Sequence, residues 1–409
     1  MVWNDLTPVF FIPGIMARLA YFHVLSGSSA TWLHPSILPV PSRAISTVSR
    51  QNRLAAAYYR GGSSRAVFFN SQDLPSESSR DDMFRGVIGS PDPYGRQLDG
   101  MGGGISSLSK VCIVGPSTHA DADVDYTFVS IGIKNDKVDY SSNCGNMSAA
   151  VGPYAVDSGL IPVPSESQDR FTVRIHNTNT GKLINASFPI ADGEAVASGD
   201  FTIDGVTGAA APVQLDFVRP AGSRTGKLLP TGNVLDILDG YHATCIDVGN
   251  PCVFVYASEL GVDGELSSDD IEANTALKEK LESIRRQAAV TMGLAENVDS
   301  VPGSVPKISI ASPRKGPAGD EINIRAMSVG QAHKAVPVTV ALATAAAAKI
   351  PGSTIANCLK GSQSGQGLDI CHSSGRLRVD ASFDDAGELV KATVFRTARR
   401  LMDGTVYWK

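Results

Sequence analysis

The 409-residue sequence has few cysteines and little charge, and several well-known catalytic motifs are missing from it. Its six cysteines form no CxxC pair, so neither a disulfide scaffold nor a zinc ribbon is indicated, and we expect reduced thiols. Charged residues make up only 19%, with a net charge of −5, which argues against a dedicated nucleic-acid-binding protein. Walker A, GxSxG and HExxH motifs are absent, which leaves P-loop, serine-hydrolase and zinc-protease chemistry without support.

The amino-terminal stretch lacks acidic residues. Residues 1–72 contain six arginines, no lysine and one acid, Asp5, so they carry +5 and the rest of the chain −10. Such an arginine-rich and serine-rich start is typical of an organelle transit peptide. We therefore predict that residues 1–54 are a removable mitochondrial presequence or extension. The apolar run Pro8–Leu25 is interrupted by Pro13 and Arg18, so no membrane anchor is expected.

Beyond about Ala55, short runs typical of β-strands alternate with glycine-rich turns. The predicted strands are Val124–Ile133, Phe171–Ile175, Leu183–Ile190, Val213–Phe217, Cys252–Tyr256 and Ala392–Thr397. The final segment Leu401–Lys409 contains Asp-Gly and is predicted to form another hairpin. Asn274 is a candidate cap for an amphipathic surface helix whose apolar stripe is Leu277, Leu281, Ile284 and Ala288.

Two further predicted helices, Met147–Leu160 and Val336–Ile350, are small or apolar on every side, which favours burial. Each follows a short polar turn and lies among predicted strands. This arrangement indicates an internal duplication. We predict an α+β fold with two similar domains, 55–232 and 233–409, each a sheet wrapped around one central helix. Both helix N-termini would then face a common cleft that holds the active site.

Two segments carry residues suited to binding an anion. Asp99–Lys110 (DGMGGGISSLSK) combines four glycines, which let backbone N–H groups approach a ligand, with three serines and a terminal lysine. Taken alone, it also fits an ordinary flexible turn. Cys144, within Asn143–Asn146, precedes the first buried helix, where the helix dipole and free N–H groups stabilise a thiolate or a substrate carboxylate. A small buried cysteine between two capping asparagines is the alternative.

With these segments the sequence resembles the PrpF-like family of the diaminopimelate-epimerase superfamily, from about Tyr58 to the C-terminus. The motifs that carry the resemblance are Arg60–Phe69 (RGGSSRAVFF), Gly89–Lys110, Asn143–Met147 (NCGNM), Gly226–Asn233 (GKLLPTGN), Asp247–Val255 (DVGNPCVFV) and Met327–Ser353. The family includes methylitaconate and aconitate isomerases and 4-oxalomesaconate tautomerase. The resemblance implies two epimerase-like α+β domains and a reaction without a cofactor or metal.

The resemblance also implies site residues. Lys110 aligns with the family's catalytic lysine and Cys144 with its cysteine. The expected substrate-binding positions are Ser64, Arg65, Gly103, Gly104, Ser106, Ser107, Asn143, Gly145, Asn146, Met147, Thr231, Gly232, His333 and Lys334. In the first motif Arg65 replaces a lysine and Ala66 a glycine, which bears on substrate choice because a planar guanidinium is not equivalent to an ammonium.

These residues suit a proton shift in an unsaturated di- or tricarboxylate such as aconitate, 2-methylaconitate or methylitaconate. Lys110 would be the main acid/base, while Cys144 would be a second acid/base or part of the carboxylate pocket. The expected partner is the small carboxylate, with no nucleic acid and no membrane, and a homodimer is compatible with the sequence. Two alternatives stay open: an accessory protein that stabilises a partner dehydratase, and a two-cysteine epimerase or racemase. His333-Lys334 at the second helix start disfavours the latter.

Overall fold

A closed ring of strands surrounds a helix that belongs to the first half of the chain. The computed structural model describes residues 50–140, 143–163, 170–303, 305–314, 320–328, 330–359 and 367–409. The strands are β1 (Asn52–Gly61), β2 (Ser64–Asn70), β3 (Lys110–Pro116), β4 (Val124–Ile131), β5 (Val138–Asp139), β6 (Arg170–Asn177), β7 (Lys182–Ala191), β8 (Glu194–Ala195), β9 (Pro212–Val218), β10 (Asp236–Leu238), β11 (Tyr241–Asp247), β12 (Pro251–Tyr256), β13 (Lys307–Pro313), β14 (Glu321–Ser328), β15 (Gln331–Ala332), β16 (Leu368–His372), β17 (Gly375–Phe383) and β18 (Leu389–Trp408). The helices are α1 (Glu77–Ile88), α2 (Gly145–Asp157), α3 (Ala257–Leu260), α4 (Ser268–Ala273), α5 (Thr275–Thr291), α6 (Val338–Ala348) and α7 (Thr354–Cys358).

Hydrogen-bonded pairing closes the ring in the order β1, β2, β3, β4, β6, β7, β9, β18 and back to β1. Helix α2 packs against strands of this ring and is buried from Met147 to Val156. Small residues make this possible, since a Cβ at Gly152 would lie 2.6 Å from the Phe188 ring. A larger side chain at Gly152 would have to displace Phe188 and the strand that carries it.

The second half repeats the same order of pairings. Strands β11, β12, β13, β14, β16 and β17 pair in the same antiparallel and parallel alternation as β1, β2, β3, β4, β6 and β7. Helix α6, buried along its whole length, takes the place of α2. The repeat agrees with an internal duplication. Because residues 51–409 form one compact unit, the division at 232/233 stays a prediction.

Strand β18 corrects the predicted C-terminal hairpin. Leu401–Lys409 does not turn back on itself, because β18 runs on to Trp408 and pairs antiparallel with β1, Asn52 opposite Trp408. Asp403 and Gly404 lie opposite Ala57 and Ala56, and Gly404 has φ +144°, a conformation that favours glycine. Pairing with the distant β1 thus outweighs the local turn preference of Asp-Gly.

Most other predicted elements are present, with shifted ends. The Asn274 side chain accepts a hydrogen bond from the Leu277 N–H (3.0 Å) at the start of α5, whose apolar stripe is buried, as predicted. Helix α2 begins two residues earlier than predicted and α6 two residues later. Strand β1 begins at Asn52, ahead of the predicted start near Ala55.

The presequence prediction and the apolar run Pro8–Leu25 fall on residues outside those the structure describes. Among the described residues, none of the helices combines the length and the hydropathy needed to cross a bilayer. All six cysteines are free thiols, and Cys144 is the one that is not buried.

Candidate active site

A cavity of about 230 Å³ lies where the N-termini of α2 and α6 meet. The first residues of both helices line it, Gly145 in α2 and Val338 in α6. A Cβ at Gly145 would lie 2.5 Å from Val338 Cγ1, so glycine is what permits this close approach. Two helix N-termini therefore present their dipoles and free N–H groups to one small cavity, which favours a negatively charged ligand.

The cavity brings together nine of the residues that the sequence singled out. They are Ser64, Ser106, Ser107, Lys110, Asn143, Cys144, Gly145, Asn146 and His333. Residues far apart in the chain thus line one cavity, because β2 and β3 are neighbours in the strand ring and α2 packs against both.

Lys110 is the first residue of β3 and is half-buried. Its ammonium lies over the Phe128 ring, with Nζ 4.8 Å from the ring centroid. This cation–π contact and the strand backbone hold the amine at the edge of the cavity. An amine in this place can take or give a proton to a ligand in the cavity.

Cys144 is the N-cap of α2, with extended backbone angles (φ −110°, ψ 97°). Its carbonyl accepts the first helical hydrogen bond from the Ser148 N–H (3.0 Å), while its thiol lines the cavity. The equivalent N-cap of α6 is Pro337, which brings no side-chain donor or thiol. The two helix starts thus share a position but differ in chemistry.

Arg396 is a cavity residue that the sequence reasoning missed. Only 7% of the residue is exposed, and its Nε donates to Asn146 Oδ1 (3.0 Å). Burial lowers the pKa of Arg396 to about 10. Within the part of the chain that the structure describes, no acidic side chain forms an ion pair with it. A buried guanidinium without an acid is costly, and a bound carboxylate would compensate it.

A signal for Arg396 was present in its strand. Ala392 and Val394 are fully buried in the same core that surrounds α2. Side chains alternate along a strand, so Arg396 falls on the same inner face as these two residues. An arginine at an inward position of an apolar strand is a marker of a polar site.

The second half of the chain adds Lys307, His333 and His372 to the lining. Burial lowers the pKa of Lys307. The pKa of His333 is lowered by reduced hydration in the cleft and by the charges of Lys307 and Lys110. Burial, with Arg396 and other cations nearby, lowers the pKa of His372 to about 4. Both shifts favour the neutral imidazole.

Asp204 is the acidic side chain in this lining, and its carboxylate accepts a hydrogen bond from the Arg376 backbone N–H. The cations around the cavity outnumber it, so the site carries a net positive charge. Among the described residues, no group of three or more His, Cys, Asp or Glu side chains could hold a metal ion.

The glycine loop contributes differently from the prediction. The N–H groups of Gly102 and Gly104 donate within the protein, to the Ile88 carbonyl (3.0 Å) and to Gln97 Oε1 (2.8 Å). A Cβ at Gly103 would lie 2.6 Å from Leu108 Cδ1, so this glycine serves packing. Gly103 and Gly104 thus shape the loop and do not line the cavity, whereas Ser106 and Ser107 do.

Arg65 also lies away from the cavity. It neighbours Ser64 in β2, and consecutive side chains of a strand point to opposite faces. Its guanidinium lies over the Tyr58 ring, 5.7 Å from the centroid, on the face that carries Val67. Arg65 therefore does not line the cavity, whereas the buried Arg396 does.

Four other predicted positions do not line the cavity. Met147 is fully buried in the core around α2. Thr231 donates from its hydroxyl to Asp236 Oδ2 (2.8 Å), and Gly232 follows it in the same loop. Lys334 is exposed, and its carbonyl accepts a hydrogen bond from Ser374 Oγ (2.7 Å).

A positively charged cavity at two helix N-termini, with an amine and a thiol at its edge, is suited to binding a small carboxylate. The chain belongs to the PrpF family: the family model, described as PrpF protein, matches residues 51–409. It is 41% identical over 385 residues to 2-methyl-aconitate isomerase of Shewanella oneidensis, covering 87% of this chain and 97% of that protein. It is 38% identical over 379 residues to 3-methylitaconate isomerase of Eubacterium barkeri, covering 88% and 98%.

The solved structures include a protein of the same fold. The crystal structure of methylitaconate-delta-isomerase matches with a TM-score of 0.79 and 38% identity, covering 88% of this chain and 96% of that one. The family identified from the six motifs is thereby confirmed, and this protein is an isomerase.

Proposed function

We propose that this isomerase moves a proton and a double bond, or changes cis–trans geometry, in an unsaturated di- or tricarboxylic acid such as aconitate, 2-methylaconitate or methylitaconate. The observation that carries the proposal is the cavity itself. Lys110 and the buried Arg396, which has no acidic partner in the described structure, meet there at the N-termini of α2 and α6. A cavity of about 230 Å³ suits a small acid.

The chemistry begins with a weakly acidic proton on a carbon next to the conjugated carboxylate. Lys110, as general base, removes this proton, and the electron pair spreads into a dienolate. Return of a proton to the other end of the allylic system relocates the double bond, while rotation within the delocalised intermediate changes its geometry. The dienolate's negative charge is stabilised by the cationic surroundings and helix N-termini.

Arg396 is the best candidate to hold a substrate carboxylate. Its guanidinium offers a planar fork of donors. Nε donates to Asn146 Oδ1 (3.0 Å) and Nη1 to the Phe395 carbonyl (3.2 Å), and the donors that remain can face a ligand. Asn146 Nδ2 in turn donates to Ser63 Oγ (3.2 Å), which fixes the amide. Ser106 and Ser107 supply further hydroxyl donors in the lining.

Cys144 serves as a second acid/base or as part of the carboxylate pocket. An epimerase that uses two thiols would need a second cysteine at the start of α6. Pro337 occupies that N-cap, which disfavours epimerisation of an amino acid.

Proton NMR in D₂O tests the proposal with four acids: cis-aconitate, trans-aconitate, 2-methylaconitate and methylitaconate. We expect one of them to yield a shifted or geometrically isomerised alkene, with solvent deuterium at the reacting carbon. If none reacts, the proposal is contradicted, and the role of an accessory protein for a dehydratase becomes the better explanation. The same preparation, examined by sedimentation, checks the expected homodimer.

We also propose that the residues before β1 form a removable mitochondrial presequence. The basis is their arginine-rich and acid-poor composition together with a family match that begins at residue 51. Cleavage of the presequence should occur before Asn52, since β1 pairs with β18 from that residue onward. A chain beginning at Gln51 should keep full activity. A full-length fusion that stays cytosolic with an unprocessed N-terminus would contradict the proposal.

A further inference from the structure

Lys110 and Lys307 occupy equivalent places in the two repeats. Lys110 is the first residue of β3 and Lys307 the first residue of β13. Strand β3 is parallel to β2 and antiparallel to β4, and β13 is parallel to β12 and antiparallel to β14 in the same way. The duplication therefore presents one lysine at the same point of each strand arrangement.

Both lysines line the same cavity. His333 is also in the lining, and its pKa is lowered mainly by desolvation, with the charges of Lys307 and Lys110 lowering it further. Equivalent residues of two repeats that meet at one cavity approach a bound ligand from different directions. Burial also lowers the pKa of Lys307, and an amine with a lowered pKa exchanges protons more readily near neutral pH.

We propose that Lys307 is a second proton carrier, which delivers a proton to one end of the allylic system after Lys110 has removed one from the other end. This inference rests on the proposed isomerase function. In the direction written, Lys110 acts as the amine base and Lys307 as the ammonium acid, and in the reverse direction the roles exchange. One C–H bond breaks as the Lys110 N–H bond forms, and one Lys307 N–H bond breaks as the new C–H bond forms. The substrate keeps its charge, and proton exchange with water resets both amines.

If Lys110 removes the proton and Lys307 delivers one, a Lys307 variant should still exchange deuterium from D₂O into the starting acid but should not isomerise it. In D₂O a neutral lysine amine carries two deuterons, so the ammonium formed on taking a substrate proton returns deuterium about two times in three. Lys110 alone can therefore exchange deuterium into the starting acid. Without Lys307 the second carbon receives no proton, and the shifted alkene does not form.

The test compares Lys307→Met, Lys307→Arg and Lys110→Ala in the D₂O assay, with the acid that the wild-type enzyme converts. Methionine keeps the apolar stem of the buried side chain, and thermal unfolding checks that the fold is retained. For Lys307→Met we expect kcat for isomerisation to fall by about 10²–10⁴-fold, while deuterium exchange into the substrate stays within about tenfold of wild type. Lys110→Ala should lose both reactions.

Lys307→Arg separates proton transfer from carboxylate binding. A guanidinium binds a carboxylate but cannot be deprotonated near neutral pH, so this variant should not regain isomerisation. Rescue by arginine, equal loss of exchange and isomerisation in Lys307→Met, or a Lys307→Met enzyme that isomerises within about tenfold of wild type would each overturn this inference alone. A wild-type enzyme inactive on all four acids would instead overturn the proposed function, and this inference with it.

Discussion

The two walls of the cavity share a backbone plan but differ in their side chains. Helix α2 begins after Cys144, whereas α6 begins after Pro337. The third strand of each repeat begins with a lysine, Lys110 in β3 and Lys307 in β13. The repeated backbone therefore determines which positions lie at the cavity, while the residue at each position determines which chemical group the cavity contains. The lysines are retained on both walls, and the thiol occurs on one.

Changing Lys110 should have the largest effect. We expect Lys110→Ala to lower the isomerisation rate by about 10²–10⁴-fold, roughly 3–5 kcal/mol, because the general base is removed. Lys110→Arg should not restore the rate, since its guanidinium stays protonated. The measurement is kcat in the NMR assay. Near-normal turnover of Lys110→Ala beside an inactive Cys144→Ser would reverse the roles of the two residues.

Arg396, on the strand that joins both halves, should come next. Arg396→Met removes a charged hydrogen-bond donor to the substrate, worth about 1.5–3 kcal/mol, so KM should rise roughly 10- to 150-fold. Arg396→Lys should recover part of the affinity, because the charge returns without the planar fork. Exposed Arg399, changed to Met, is the matched control. Equal effects of the two changes to Met would show that Arg396 acts only through the overall charge.

Cys144→Ser should be milder. A hydroxyl still donates a hydrogen bond and the N–H groups at the start of α2 remain, so we expect less than about a tenfold loss of kcat. Cys112→Ser is the control, since that thiol is fully buried in the core and its change should lower the melting temperature rather than activity. A loss of about 10³-fold in Cys144→Ser would make the thiol an essential proton carrier.

Changing His372, one of the two histidines that the second half adds to the cavity, should have the smallest effect, and this effect is on stability. Its pKa is about 4 in the folded protein and about 6.5 when unfolded. Its neutral form is therefore favoured by folding. The contribution to the free energy of unfolding is fully present above pH 6.5 and is lost as the pH falls from 6.5 toward 4.

Urea unfolding at pH 5 and pH 7.5 measures this dependence. His372→Gln should lose less stability between the two pH values than wild type does. His333, whose pKa is also lowered, stays in both proteins and so does not affect the difference. Identical pH dependence in both proteins would show that His372 is equally hydrated in the folded and unfolded states.

Many helices and strands could be predicted because the patterns that specify them, such as a cap or an apolar stripe, span only a few residues. The Asn274 cap and apolar stripe of α5 are an example, and so are β6 and β7, which contain the predicted strands Phe171–Ile175 and Leu183–Ile190. Helices α2 and α6 were predicted as buried from composition alone, since chains of small apolar residues have no polar face to present to water. Their exact ends depended on packing.

Of the residues that the motifs singled out, Lys110 and Cys144 line the cavity and Arg65 does not, whereas Arg396 lines it without having been singled out. A motif does not state which face of its strand meets the cavity, and neighbouring residues on a strand face opposite ways. Ser64 therefore lines the cavity while Arg65 lies over Tyr58. Arg396 lies 250 positions from Asn146, its hydrogen-bond partner, so only the folded chain reveals that pair.

By itself, the sequence determined the family, the small-residue helices and the order of the motifs, because these depend on residue identity and short-range periodicity. Only the tertiary structure decided that β18 continues past Asp403-Gly404 to pair with β1, and that Arg396 and Lys307 reach the cavity of Lys110. The physical reason is that strand pairing joins residues hundreds of positions apart. The ladder of hydrogen bonds along β1 stabilises an extended β18 more than a local turn would, and its register decides which side chains face inward.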